Sequence, residues 1–380
     1  MLGSSAMRES ARPLYRPLSR VGVAGVVPVA FGWALGASGC SSISDCGDDP
    51  AACAKLLNEN PEACAEAFTL KMSDRKRKAC RHAMDLVGDE EVEAAVPGLS
   101  AIVQIPVSGV PDDRHKAEAA KALGEIGSKA AVEPLMNALD LSVGTSNDPE
   151  DKMGNRANEE IAKALGEIGD PRAVPKLLEV IDESRNDHVI LEAVRALGDI
   201  GPEAKAGVEK LTEIALEDDN KFMRKNAVIA LGDIGDPAAV DALIQMMFIE
   251  FQGVSFYKEA SYALFKIGEP AVEPLLETLA MKNEDVDAIF EKSGGAKASA
   301  VIAKAAVVLG DLRAEEALDP LIAAYEKGVE ENDPVIIREV AFALGSLGDE
   351  KAVPVLMKNM DTLVPSLRER IMGSLNKIGD

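Results

Sequence analysis

The chain has 380 residues, of which 47% are hydrophobic and only 4% aromatic, and its 64 acidic and 41 basic residues give a net charge of −23. A surface this acidic argues against nucleic acid or a bare anionic lipid surface as the partner, because both are polyanions.

The first forty residues predict export from the cytoplasm. Four arginines within 8–20 precede the apolar stretch 21–35, and three small residues, 37–39, come directly before Cys40. A basic start followed by an apolar core and small residues is typical of a signal peptide. Small residues before a cysteine also resemble the lipobox of bacterial lipoproteins, although Ala37 stands where that motif usually has leucine. The resemblance implies that Cys40 is acylated and becomes the first residue of the mature chain.

Lipidation would place the protein in the bacterial cell envelope, at the outer membrane or periplasm if the organism is Gram-negative. An uncleaved signal anchor and an ordinary secreted protein are the alternatives. Removal of the predicted signal peptide 1–39 takes away four arginines and one glutamate, which leaves 37 basic and 63 acidic residues and a net charge of −26.

The four remaining cysteines lie close together, within residues 46–80. They are Cys46, Cys53, Cys64 and Cys80. An even, clustered number in an exported chain predicts two disulfides, whereas the spacings do not fit a Cys-x-x-Cys zinc site. Three pairings are open, and we favour Cys53 with Cys80 and Cys46 with Cys64. Short helices are predicted after Pro50, at Pro61 and near Ser73, so the segment 40–88 is expected to be a Cys-rich helical cap and tether.

A hexapeptide recurs through the rest of the chain. It reads Ala-Leu-Gly-Glu-Ile-Gly from Ala122 and from Ala164, and Ala-Leu-Gly-Asp-Ile-Gly from Ala196 and from Ala230, with weaker copies downstream. Its leucines stand at positions 123, 165, 197, 231, 264, 309, 344 and 375. A spacing near 33 residues with occasional inserts predicts an array of stacked helix pairs.

The unit 170–201 shows how one pair is expected to fold. Asp170 and Pro171 predict the start of a first helix, A, with apolar residues at helical spacing up to Ile181. A second apolar stripe, 189–200, predicts a second helix, B. Two short helices cannot bury both apolar faces alone, so each pair needs its neighbours.

These motifs resemble the HEAT repeats of the subtype named after phycobilisome lyases, over residues 89–380. The resemblance implies an all-α superhelix, a HEAT-like solenoid of about eight helix pairs behind the disulfide-rich cap. It specifies a fold and leaves the activity open, because one fold hosts many functions.

The sequence offers no catalytic constellation, and we predict that the chain is not an enzyme and holds no metal or cofactor. Deoxyhypusine hydroxylase, a HEAT-type enzyme, holds two irons with His-Glu dipeptides, and none occurs here. The three histidines, His82, His115 and His188, are expected in turns or on the surface.

In HEAT arrays the B helices line the concave face, so the B-helix positions that point away from the apolar stripe are candidate contacts. In the early motifs Glu118 with Lys121, Glu160 with Lys163 and Glu192 with Arg195 are expected to form ion pairs. From the fourth motif onward the basic column becomes apolar, at Ile229, Tyr262, Val307 and Phe342. A carboxylate row is predicted beside it, at Glu125, Glu167, Asp199, Asp233 and Asp311.

If exposed, these residues would suit a basic or amphipathic protein with apolar anchors. The alternative is that the apolar positions pack between neighbouring B helices. Three inserts, 141–155, 248–256 and 283–297, are expected between helices A and B of their repeats. The middle insert is aromatic; extended helices that pack on themselves are favoured there over a second binding edge.

The sequence therefore predicts a non-catalytic protein-binding scaffold, anchored in the envelope by Cys40. An envelope enzyme or enzyme subunit on the same scaffold and a purely architectural spacer are the alternatives.

Overall fold

A computed structural model describes residues 46–68, 74–106, 114–141, 152–293, 298–358 and 360–379, all within the compact unit Ile43–Asp380. The predicted signal peptide and Cys40 lie outside the described residues, as do residues 142–151 of the first insert. Within the described ranges the chain forms the predicted all-α solenoid of helix pairs. None of the helices in these ranges is both long and apolar enough to cross a bilayer.

In the described ranges, three cap helices precede eight pairs of helices. The cap helices are α1 (Pro50–Glu59), α2 (Pro61–Ala67) and α3 (Asp74–Asp89). The pairs, A before B, are α4 (Val96–Gln104) with α5 (Arg114–Ile126), α6 (Val132–Ala138) with α7 (Lys152–Ile168), α8 (Val174–Glu183) with α9 (Asp187–Ile200), α10 (Val208–Glu217) with α11 (Lys221–Ile234), α12 (Val240–Met246) with α13 (Tyr257–Ile267), α14 (Val272–Leu279) with α16 (Ala298–Leu312), α17 (Leu318–Glu330) with α18 (Pro334–Leu347), and α19 (Val353–Lys358) with α20 (Pro365–Gly379). The sixth pair carries an additional helix, α15 (Glu284–Ser293), in its insert.

Each A helix begins with a short 3-10 segment, which the sequence did not predict. In the third pair Pro171–Ala173 is 3-10 and the α-helix begins only at Val174. Asp170 caps this segment by accepting a hydrogen bond from the Arg172 backbone N–H at 3.0 Å. The guanidinium of Arg172 donates two further bonds to the same carboxylate, each 2.9 Å long. These bonds lower the pKa of Asp170 to about 2, against the opposing effect of burial.

We expect Asp170→Ala to cost about 1–2 kcal/mol of stability at neutral pH, because it removes a cap and the carboxylate partner of Arg172. The carboxyl pKa is lower in the folded chain than in the unfolded one, so this contribution is complete above about pH 4 and is lost as the pH falls toward 2. Thermal melting of the variant and the native chain at pH 6 and at pH 2.5 measures it. Asp236→Ala is the matched control, because Asp236 caps Ala238 N–H at 2.9 Å in the same way. An equal loss at both pH values would contradict the assignment.

Successive B helices approach each other closely through the repeated motif. The glycine of each Ala-Leu-Gly faces the alanine of the next B helix, and a β-carbon built on Gly166 would lie 2.7 Å from the Ala196 Cα. The same contact joins Gly88 to Ala122, Gly124 to Ala164, Gly198 to Ala230, Gly232 to Ala263 and Gly310 to Ala343, with Ser374 replacing alanine opposite Gly345. The cap helix α3 therefore starts the same row of helices as the repeats.

The four cap cysteines form two disulfides, as predicted, but the favoured pairing is wrong. Cys46 pairs with Cys53 across a Cα–Cα distance of 5.1 Å, and Cys64 pairs with Cys80 across 5.5 Å. Both distances suit a disulfide. The first bond closes the segment just before α1 onto the first turn of that helix, and the second joins α2 to α3. The cap packs on the first repeat, where Asn58 of α1 accepts from Gly98 N–H and donates to Ala94 O, each at 2.7 Å.

The aromatic insert between α12 and α13 is a β-hairpin, rather than the extended helices that we favoured. Its strands, β1 (Glu250–Phe251) and β2 (Val254–Ser255), pair antiparallel. The Arg224 guanidinium lies 4.2 Å from the centre of the Phe251 ring. The Lys304 ammonium lies 5.2 Å from the Phe248 ring centre and donates to Met247 O at 2.7 Å. These contacts hold the insert onto α11 and α16, and burial lowers the pKa of Lys304.

Candidate protein-binding surface

The row of B-helix contacts is interrupted between α13 and α16. Phe265 of α13 stands at the glycine position of the fifth motif, and Val308 of α16 stands at the alanine position of the sixth. A phenylalanine cannot enter the space that a glycine leaves between two helix backbones, so the close approach seen at the other pairs cannot form there. The side chain of Phe265 remains 48% exposed.

A groove of about 700 Å³ lies along α11 and α13 and reaches Asp311 at the end of α16. Its floor is apolar: Ile229 is 40% exposed and Tyr262 is 60% exposed. The rings of Tyr262 and Phe265 are stacked, with centres 6.5 Å apart and an interplanar angle of 16°. Large apolar side chains left in contact with water inside a concavity are typical of a protein-binding site.

Charged side chains surround this apolar floor. Lys266 forms an ion pair with Asp233 and lies 4.8 Å from the Tyr262 ring centre. Lys225 pairs with Glu259 at 2.8 Å. Asp311 forms no ion pair with any described residue, and partial burial raises its pKa, although the positive charge of Lys377 opposes this shift.

A row of carboxylates leads from the early repeats to the groove. The carboxylates of the first four motifs each lie over the glycine of the preceding helix in the row, as Asp199 does at Gly166, where a β-carbon would lie 3.1 Å from the Asp199 Oδ2. Asp311 differs, because Phe265 stands at the glycine position before it. Burial raises the pKa of Asp199, and the negative charges of Asp233 and Glu167 raise it further. The carboxylates are therefore close enough along the row to influence one another.

Comparison with known proteins identifies the repeats. Residues 99–198, 155–219, 174–249, 208–293 and 295–376 match the family model of HEAT repeats. This chain belongs to the HEAT-repeat family. A comparison with curated proteins gives no match.

Several solved structures have a similar HEAT-like fold. Human deoxyhypusine hydroxylase in complex with glycerol is 22% identical, with a TM-score of 0.30, and the match covers 78% of this chain and 98% of that one. The complex of CpcE and CpcF of phycocyanin lyase from Nostoc sp. is 21% identical over 64% of this chain and 84% of that one, with a TM-score of 0.36. Yeast importin-beta is 14% identical over 87% of this chain and 49% of that one, with a TM-score of 0.45. These similarities concern the fold alone.

The HEAT array brings some of the predicted contact residues together and separates others. Ile229, Tyr262, Asp233 and Asp311 line the groove. Val307 and Phe342 are half-buried and lie outside its lining. The Phe342 ring is covered by Arg370 and Lys377, whose charged groups lie 4.5 and 4.1 Å from its centre.

The early carboxylates have partners on their own helices. Lys121 Nζ lies 3.0 Å from Glu125, and Lys163 Nζ lies 3.5 Å from Glu167. Two of the three predicted ion pairs are therefore wrong: Lys121 pairs with Glu125 instead of Glu118, and Lys163 pairs with Glu167 instead of Glu160. Only the predicted pair of Glu192 with Arg195 is present, at 2.7 Å.

Phe265, Lys258 and Lys266 line the groove but were not predicted from the sequence. The signal was available, because Phe265 is the one large apolar residue at the glycine position among the eight motif copies.

The histidines lie apart from the groove. His188 is exposed, and His82 Nε2 lies 3.0 Å from Gly47 O in the cap. The expected surface position of His115 is wrong, since this residue is 1% exposed and its Nε2 lies 3.1 Å from Ile105 O. Among the residues that the structure describes, no cluster of three or more histidine, cysteine or acidic side chains could hold a metal ion.

Proposed function

We propose that this HEAT array is a non-catalytic protein-binding scaffold of the bacterial cell envelope, anchored by a lipidated Cys40. Two disulfides support an oxidising, exported location, because such bonds persist mainly outside the cytosol. The lipobox-like sequence before Cys40 supports the anchor.

One observation carries the binding role: the groove exposes Ile229, Tyr262 and Phe265 together on the row of B helices. Aromatic side chains in a partly desolvated concavity supply much of the binding energy at protein interfaces. The neighbouring carboxylates favour a basic or amphipathic partner, since complementary charge speeds association and excludes acidic competitors.

We expect the double variant Tyr262→Ala with Phe265→Ala to lose its partner while keeping its fold. Both side chains are exposed, so the free energy of unfolding should change by no more than about 0.5 kcal/mol for each substitution. Losing two aromatic anchors should weaken binding by at least about tenfold. Chemical crosslinking in intact envelopes, followed by affinity capture and mass spectrometry, measures the loss of a stoichiometric partner.

Phe222→Ala is the matched control, because Phe222 is 61% exposed on α11 but does not line the groove. The control should retain the partner. A large drop in melting temperature in the double variant, or an unchanged partner, would contradict the proposed role of the groove.

The anchor is tested separately. We expect Cys40→Ser to release the protein from the membrane fraction and to abolish incorporation of a labelled fatty acid, because acylation requires the thiol. Continued membrane association of this variant would contradict lipidation.

A further inference from the structure

The groove has a size and a charge arrangement that restrict what it can hold. Lys258 and Lys266 bound the part of α13 that lines it, and the eight helical steps between them rise by about 12 Å. The aromatic pair, Tyr262 and Phe265, lies between these two lysines in the sequence. The floor therefore fits one or two apolar side chains from a segment about two helical turns long.

The negative charges of the groove carboxylates are not all neutralised by lysines. Of its three carboxylates, Asp233 and Glu259 already form ion pairs with lysines, whereas Asp311 forms no ion pair within the described ranges and is acted on only by the charge of Lys377 beyond ion-pair distance. Asp311 is exposed at the edge of the apolar floor, so its carboxylate can accept a charge-assisted hydrogen bond from an incoming cation. The carboxylate row at Asp199 and Asp233 adds a negative potential that would repel an acidic segment.

We propose that the groove binds an amphipathic segment of a partner protein, with an apolar side chain seated against Tyr262, Phe265 and Ile229 and a lysine or arginine paired with Asp311. This inference rests on the proposed function and specifies its site. The partner segment occupies the place where the close glycine–alanine contact between α13 and α16 is missing. Its basic residue restores the charge balance that Lys266 gives Asp233 and Lys225 gives Glu259.

Photocrosslinking of the full-length protein in its native envelope can identify the segment that binds in the groove. Ser261 lines the groove, and among the described residues its hydroxyl donates only to the Lys258 backbone oxygen, so it accepts a probe without loss of the aromatic pair. We expect Ser261→p-benzoylphenylalanine to crosslink on illumination to a protein. Mass spectrometry should find the bond in a peptide that carries an apolar anchor and a lysine or arginine within one helical turn of it.

Charge reversal at Asp311 tests the ion pair. We expect Asp311→Lys to reduce the crosslinked yield at least about tenfold, because like charges facing each other at an interface are strongly unfavourable. Asp311→Asn should reduce it about three- to fivefold, the range expected for losing one exposed ion pair. The matched control is Asp319→Lys, which makes the same change in net charge at an exposed carboxylate of α17 outside the groove.

Several crosslinking results would contradict this inference. A protein crosslinked through an acidic or wholly polar segment, or a yield that Asp311→Lys leaves unchanged, overturns this inference and leaves the scaffold function standing. A lipid or small molecule as the crosslinked species also overturns it. No crosslinked species from Ser261, together with no partner lost in the double variant of Tyr262 and Phe265, overturns both proposals.

Discussion

Gly166→Ala should destabilise the array by about 1–3 kcal/mol, the usual cost of forcing extra volume into a packed interior. In most exposed helix positions the same substitution stabilises, because alanine has the better helix propensity. Here the added methyl would lie 2.7 Å from the Ala196 Cα and 2.8 Å from its Cβ, so α7 and α9 must move apart. Urea denaturation followed by circular dichroism measures the change.

Gly373→Ala is the matched control for this prediction. Gly373 is also helical, in α20, but a β-carbon built there meets no atom within 4 Å. We expect it to stabilise by about 0.5–1 kcal/mol. Equal effects at both positions would show that the glycine–alanine contact does not set the distance between B helices.

Removal of the Cys64–Cys80 disulfide should cost about 3 kcal/mol, because a 16-residue loop is then free in the unfolded chain. The double variant Cys64→Ser with Cys80→Ser also places polar hydroxyls where both cysteines are fully buried. The loss should be confined to the cap and the first repeats, since a solenoid is stabilised mainly by neighbouring repeats. Hydrogen exchange should rise in α2, α3 and α5.

The other disulfide provides the comparison. Cys46→Ser with Cys53→Ser opens a loop of only 7 residues, so its expected cost is smaller, about 2 kcal/mol. Hydrogen exchange in α18, which belongs to the seventh helix pair, should be unchanged in both variants. Cooperative loss of protection along the whole array would contradict the nearest-neighbour view of its stability.

The helix pairs could be predicted from the sequence because each copy of the motif contains residues that make two different kinds of contact. Leu197 and its equivalents mark the buried stripe of helix B, and Gly198 marks the approach of the next helix. Both requirements are local and repeat, so their period reveals the number of pairs. The 3-10 start of each A helix was missed because Pro171 is equally compatible with an α-helical first turn.

Features that depend on a single three-dimensional arrangement were not predictable in this way. The pairing of Cys46 with Cys53 depends on how the chain enters α1, which spacing alone does not determine. His115 is buried because its helix packs on α4 and its ring meets Ile105 O. Phe265 is part of a weaker motif copy, and its effect depends on a contact between helices, that of the motif glycine with the next B helix, which the sequence alone does not show.

The groove at Phe265 also bears on how such a protein can change over evolutionary time. Phe265, which lines it, stands where most other motif copies have glycine, and Val308 of the next B helix stands where most have alanine. We expect point mutations at another repeat, such as Gly198→Phe with Ala230→Val, to separate the two B helices there, because Gly198 faces Ala230. A repeat array of this kind could thus relocate or duplicate a recognition element without rebuilding the scaffold that carries it.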